Sequence, residues 1–132
     1  MRVIGWEKRL QQVLDAWGDR EHGWQATCGD FAAEVVEAVA GRDVRPLIGL
    51  PVRSAREVAE LYRHAGVRSL AGAVTKVLGE PRSRLMARRG DIVEADGDMA
   101  LGVCLGERAA FLLDRGLVFL PMSAAVRSWS VE

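Results

Sequence analysis

Trp6, Leu10, Val13, Leu14 and Trp17 repeat at the spacing of one helical face, with Glu7, Lys8, Arg9, Gln11 and Gln12 opposite and Gly18 as a stop. The same period returns at Phe31, Ala32, Val35, Val36 and Val39, is ended by Gly41, and predicts a second helix over roughly residues 28–40. Ser54 and Glu57 have capping-box spacing ahead of Val58, Leu61 and Tyr62, which predicts a third helix ending near Gly66. Ser69 caps a fourth through Leu70, Ala73, Val74, Val77 and Leu78, closed by Gly79 and Pro81. Between the second and third, the stretch from Gly41 to Val52 holds Pro46, Gly49 and Pro51 and reads as an irregular connection.

Past Arg89 the period shortens. Gly90 to Glu94, a Gly97-Asp98 turn and Met99 to Leu105 read as two strands of a hairpin. Ala109 to Leu113 and Leu117 to Leu120 flank Asp114-Arg115-Gly116, another turn signal, and Arg127 to Val131 closes the series. Helices first and short strands second predict an α+β fold, with N-terminal helices packed on a small C-terminal antiparallel β-sheet. One domain over residues 1–132 is expected, its helical part about residues 3–80 and its sheet part about 89–131.

Composition narrows the partners. The formal net charge is zero, and of 18 basic residues only Lys8 and Lys76 are lysines. Neither phosphate tracking nor attraction to anionic lipid has a positive surplus to draw on, so no nucleic-acid partner is expected. The start Met1 to Trp6 lacks the apolar run of a signal peptide, and no stretch reaches the roughly 18 apolar residues of a membrane span, so no membrane insertion is expected. Cys28 and Cys104 show no CxxC spacing, and His22 and His64 do not complete a metal set; two reduced thiols, no metal and no cofactor follow.

Cys28 is the residue on which chemistry would rest. It falls in the first turn of the second helix, where unpaired N–H groups and the helix dipole favour a thiolate and lower a thiol pKa, while Asp30 beside it works against that field. Cys28 also lies on the stripe of Phe31 and Ala32, and a plain core cysteine satisfies the same spacing. His64, in the last turn of the third helix, is explained by the dipole alone.

The order of a cysteine at the start of a buried helix and a later antiparallel sheet resembles the papain-like, NlpC-type cell-wall peptidases. Thr27-Cys28-Gly29-Asp30-Phe31-Ala32 is similar to their Asp-Cys-Ser-Gly-Phe-Val motif at Cys28 and Phe31. Arg89-Gly90-Asp91-Ile92-Val93 resembles their Pro-Gly-Asp-Leu-Val strand, and Ala100 to Gly106 aligns without a gap on His-Val-Gly-Ile-Tyr-Leu-Gly. Ala100 stands where that family carries its catalytic histidine, and its third polar residue falls near Leu112. More narrowly, Trp6 and Trp17, Cys28, Arg88 to Val93, Ala100 to Gly106 and Gly116 to Pro121 resemble a small family of phage- and prophage-encoded proteins covering nearly the whole chain, in which the alanine is the usual residue.

That resemblance implies a structural component of a phage tail tip: a degenerate NlpC-like domain acting as scaffold for neighbouring tail-tip and hub proteins, located in the virion and assembled in the host cytoplasm. The apolar partners weigh against turnover, because general acid–base assistance is worth about 100- to 10,000-fold. Two alternatives stay open. One is a working cysteine peptidase or amidase on peptidoglycan, with Cys28 as nucleophile and His22, returned by a bend at Gly23, or His64 as base. The other is a peptide- or glycan-binding module without turnover, its groove lined by Trp24, although Trp6, Trp17 and Trp24 can equally fill the core.

Overall fold

Three helices begin where a side-chain oxygen meets an otherwise unpaired backbone N–H. Thr27 accepts from the Asp30 N–H while the Asp30 carboxylate accepts from the Thr27 N–H, a reciprocal capping box; Ser54 and Ser69 accept from Glu57 and Gly72. The computed structural model describes residues 1–20, 27–48, 54–95, 100–113 and 116–132. Among these the helices are α1 (Trp6–Trp17), α2 (Cys28–Ala40), α3 (Arg45–Ile48), α4 (Ala55–Ala65) and α5 (Leu70–Leu78). The expected bounds of α2, α4 and α5 hold, because each runs from its cap to a glycine: Gly41 and Gly66 end α2 and α4 in the left-handed region at φ 68° and 74°. The short α3 interrupts the expected irregular connection. Pro46 lies in its first turn, where the missing N–H costs nothing. The turns expected at Gly97-Asp98 and Asp114-Arg115 lie outside the described residues.

The strands are β1 (Arg82–Ser83), β2 (Ile92–Ala95), β3 (Leu101–Cys104), β4 (Arg108–Leu113), β5 (Gly116–Pro121) and β6 (Ala125–Trp129). They form one antiparallel sheet in the order β1-β6-β2-β3-β4-β5. The fold is therefore α+β, as the hydrophobic pattern predicts. The sheet opens earlier than expected, at Arg82. A two-residue strand has no period of its own and exists because Arg82 and Ser83 pair with Ser128 and Arg127 of β6.

Each face of the sheet carries its own cluster, as strand alternation requires. Towards the helices, Ile92, Leu101, Val103, Ala110, Leu112 and Trp129 pack on Leu10, Trp17, Phe31, Val35, Val36 and Val74. Buried indoles keep their polar ends satisfied: Trp17 Nε1 donates to Glu34 at 2.8 Å and Trp129 Nε1 to Thr75 Oγ1 at 3.0 Å. Trp17 also meets Phe31 edge to face at 5.6 Å, so it fills the core, whereas Trp6 is only half-buried. On the other face Val93, Cys104, Ala109, Phe111 and Ala125 form a smaller cluster. Gly102 permits it, because an added Cβ would lie 2.6 Å from the Phe111 ring and 2.3 Å from the Ala110 oxygen.

Candidate functional site

Cys28 opens α2 beside Leu101 at the start of β3, with Tyr62 of α4 close enough to feel its charge. Thr27 and Asp30 fix its backbone through the capping box. Gly29 lets the terminus be covered: a Cβ there would fall 1.9 Å from the Ile48 carbonyl oxygen of α3, so this turn of α2 accepts only glycine without rearrangement. The sulfur is enclosed, with Cys28 only 8% exposed.

Burial pushes the Cys28 thiol pKa up. The backbone N–H groups of Leu101, Cys28 and Gly29 pull the other way, as a helix start should, and the Asp30 charge adds to the rise. The dipole thus acts in the expected direction and loses to desolvation, so the lowered pKa expected from the sequence is corrected to a raised one. At neutral pH the group is a thiol, a poor nucleophile.

Tyr62 of α4 lies within electrostatic reach of it. Its phenol is half-buried, and its pKa is raised first by that burial and then by the charge of a Cys28 thiolate. The sequence offers Tyr62 only as an apolar helix position; its nearness to Cys28 depends on how distant elements pack, which no local pattern encodes. His64, two residues on, points out of α4 and is exposed. His22 and Trp24 lie outside the described residues. Ala100, at the histidine position of the resemblance, is buried beside the start of β3, and Leu112 is buried in the helix-facing core. Among the described residues, no group of His, Cys, Asp and Glu could hold a metal ion, and no helix is long and apolar enough to cross a membrane.

The second conspicuous motif, Arg89-Gly90-Asp91-Ile92-Val93, builds something different. Asp91 is buried, and its two oxygens accept from Arg2 NH2 at 2.9 Å, the Val131 N–H at 3.1 Å and the Arg88 N–H at 2.9 Å. Arg2 in turn donates to the Val131 and Arg89 carbonyls at 3.0 and 2.7 Å and lies 4.4 Å from the centre of the Trp6 ring. Gly90 makes the turn at φ 94°, with space for a Cβ already closed by Trp6 at 3.0 Å. Both ends of the chain are thereby tied to the first residue before β2.

The chain belongs to the family described as "Domain of unknown function (DUF6950)", whose model matches residues 1–131. No curated protein and no solved structure matches it.

Proposed function

We propose that this member of the DUF6950 family is a degenerate NlpC-like domain that serves as a structural part of a phage tail tip, holding neighbouring tail-tip and hub proteins rather than cleaving cell wall. One observation carries the reading: the Cys28 sulfur is buried beside the Leu101 N–H with its pKa raised by that burial, and Ala100, just before Leu101, is a buried apolar residue where a hydrolase would need its base. A cysteine hydrolase needs a thiolate to attack and an acid to release the amine; a buried, protonated thiol is a poor nucleophile, and Ala100 and Leu112 offer no acid. The α+β arrangement, with a cysteine helix on an antiparallel sheet, supports the NlpC likeness, as do the Cys28–Phe31 and Gly90–Val93 matches.

Replacing Cys28 with alanine in a phage that encodes the chain tests this directly. Particles should assemble and infect normally, antibody labelling should place the chain at the tail tip, and the purified protein should not clear peptidoglycan. Normal particles that fail to infect would overturn it. So would rapid carbamidomethylation of Cys28 near pH 6, on the order of the range of activated thiols, abolished by His22→Ala, which would establish the peptidase alternative.

A further inference from the structure

After β1 the chain makes a 3-10 turn over Arg84–Met86 that holds two apolar side chains out into water. Ser83 Oγ accepts from the Leu85 N–H at 3.2 Å, the Arg84 carbonyl accepts from the Ala87 N–H at 3.1 Å, and Ala87 packs on the outer cluster of the sheet. The turn is therefore fixed, yet Leu85 is 82% and Met86 56% exposed. In the β1–β6 register Arg82 lies opposite Ser128 and Ser83 opposite Arg127, so the next pair, Arg84 and Val126, comes level, and Val126 is 43% exposed. Three of the six large apolar side chains that the described residues leave exposed thus gather at one tip, more than the scattered single residues of an ordinary surface. Arg82, Arg84, Arg88 and Arg89 flank it in the chain. Arg88 pairs with Glu132, while Arg82, Arg84 and Arg89 have no ion pair among the described residues.

The complementary chemistry lies between α1 and α2. A groove of about 330 Å³ is lined there by Val13, Ala16 and Ala38 together with Glu34 and Glu37. Arg9 also lines it, with its guanidinium turned onto the Glu37 carbonyl at 3.0 Å. Glu34 receives the Trp17 indole N–H and lies 3.8 Å from Arg20, but the Glu37 carboxylate has no ion pair among the described residues. The zero net charge of the chain thus hides a division. Residues 82–89 hold four arginines and no acid, whereas α1 and α2 hold five acids, Glu7, Asp15, Asp30, Glu34 and Glu37, against Lys8 and Arg9. The 3-10 turn packs on β6 and α1 packs on β5, four strands apart in the sheet, roughly 19 Å at about 4.8 Å per strand, so one chain does not close the two surfaces on each other.

We propose that the Leu85–Met86 tip of one chain docks in the α1–α2 groove of a second copy. The two apolar side chains lie on Val13, Ala16 and Ala38, and the unpaired arginines of the tip meet Glu34 and Glu37. Nucleic-acid phosphate would answer the arginines and leave Leu85 and Met86 in water; this groove answers both, an apolar centre with a charged rim. Because the tip is held by its own hydrogen bonds, docking costs little ordering. Tip and groove are different surfaces, so the contact is head-to-tail: each docked chain keeps one free tip or one free groove, and copies add until a ring closes. The contact rests on these two surfaces and does not depend on the tail-tip reading.

Sedimentation of the purified full chain over a concentration series at low salt should show assembly beyond a dimer, weakened in about 1 M sodium chloride, where charges are screened within about 3 Å. A tip variant, Leu85→Ser with Met86→Ser, and a groove variant, Ala16→Arg at an exposed position of α1, should each weaken association about tenfold or more with unchanged circular dichroism. Mixed one to one, the two variants should form a heterodimer and nothing larger, because one intact tip then meets one intact groove. A parent that stays monomeric throughout, a variant that assembles like the parent, or a mixture that stays monomeric would overturn the proposal. So would binding of the groove variant, but not the tip variant, to phosphatidylglycerol vesicles, which would make a membrane the occupant of the tip. If the tip variant fails to fold, Arg84→Gln takes its place in the same mixture.

Discussion

The Asp91 turn and the Cys28 helix start are both buried and both polar in origin, yet they are built on opposite rules. Asp91 is buried with its polar oxygens matched, because Arg2 and two backbone N–H groups surround it. Cys28 keeps its proton, because its surroundings are apolar and burial outweighs the N–H groups that would stabilise a thiolate. A charge in low dielectric must be matched or given up, and the two sites show both outcomes. Asp91 holds the chain ends and β2 together, while Cys28 is part of the packed core.

Asp91→Ala should therefore be the most damaging change. It leaves Arg2, the Val131 N–H and the Arg88 N–H without their acceptor in a site where Asp91 is 1% exposed. Removing one member of a buried ion pair costs about 3–5 kcal/mol, to be read as a fall in the denaturant midpoint. Cys28→Ala, removing a neutral group of similar size, should cost about 1 kcal/mol. Equal losses at the two positions would erase the contrast.

The cover over Cys28 can be tested next. Gly29→Ala forces a methyl to within 1.9 Å of the Ile48 oxygen, which is backbone and cannot swing aside. Overpacking of this kind costs about 1–3 kcal/mol. It should also displace α3 and speed alkylation of the Cys28 thiol at fixed pH. Slow alkylation unchanged by the substitution would mean that α3 is not what shields the sulfur.

The pH dependence of stability follows from the raised thiols. A thiol whose folded pKa exceeds its unfolded value of about 8.5 contributes stability that is complete below that pH and is lost as pH rises towards the folded pKa. Cys28 and Cys104 are both raised, chiefly by burial, so stability should fall above about pH 8.5, by at most about 1.4 kcal/mol per pH unit for each group. Urea titrations in this window should show a shallower decline for Cys28→Ala than for the parent, and from acid to neutral pH the two should differ only by a constant offset.

Much of this architecture was legible because its signals are local. Gly41, Gly66 and Ser69 mark helix ends in the sequence, and the turn glycines separate the strands. What lay out of reach was set by pairing between distant residues. β6 enters the sheet between β1 and β2, and the brief β1 exists only as its partner. The sign of the Cys28 shift was hidden for the same reason: helix position argues for a lowered pKa, and only burial in the folded core reverses it. Asp91 showed in the Arg-Gly-Asp-Ile-Val run as a motif, but its role depends on Arg2 and Val131 at the two ends of the chain.

The smallest effect is also the cleanest, because Tyr62 is the single tyrosine of the chain and its ionisation can be followed alone in the near ultraviolet. Its pKa is raised by burial and further by the negative charge that Cys28 acquires at high pH. Burial remains when Cys28 becomes alanine, but the charge does not. The phenol of Cys28→Ala should then ionise at lower pH than that of the parent, while staying above the ordinary value of about 10. The shift should run the same way at raised salt, since a pair with one buried partner is screened less than one at the surface. A titration that does not move would mean the sulfur and the phenol are not neighbours, and the quiet thiol beside a tyrosine would no longer be the right contrast to the Asp91 turn.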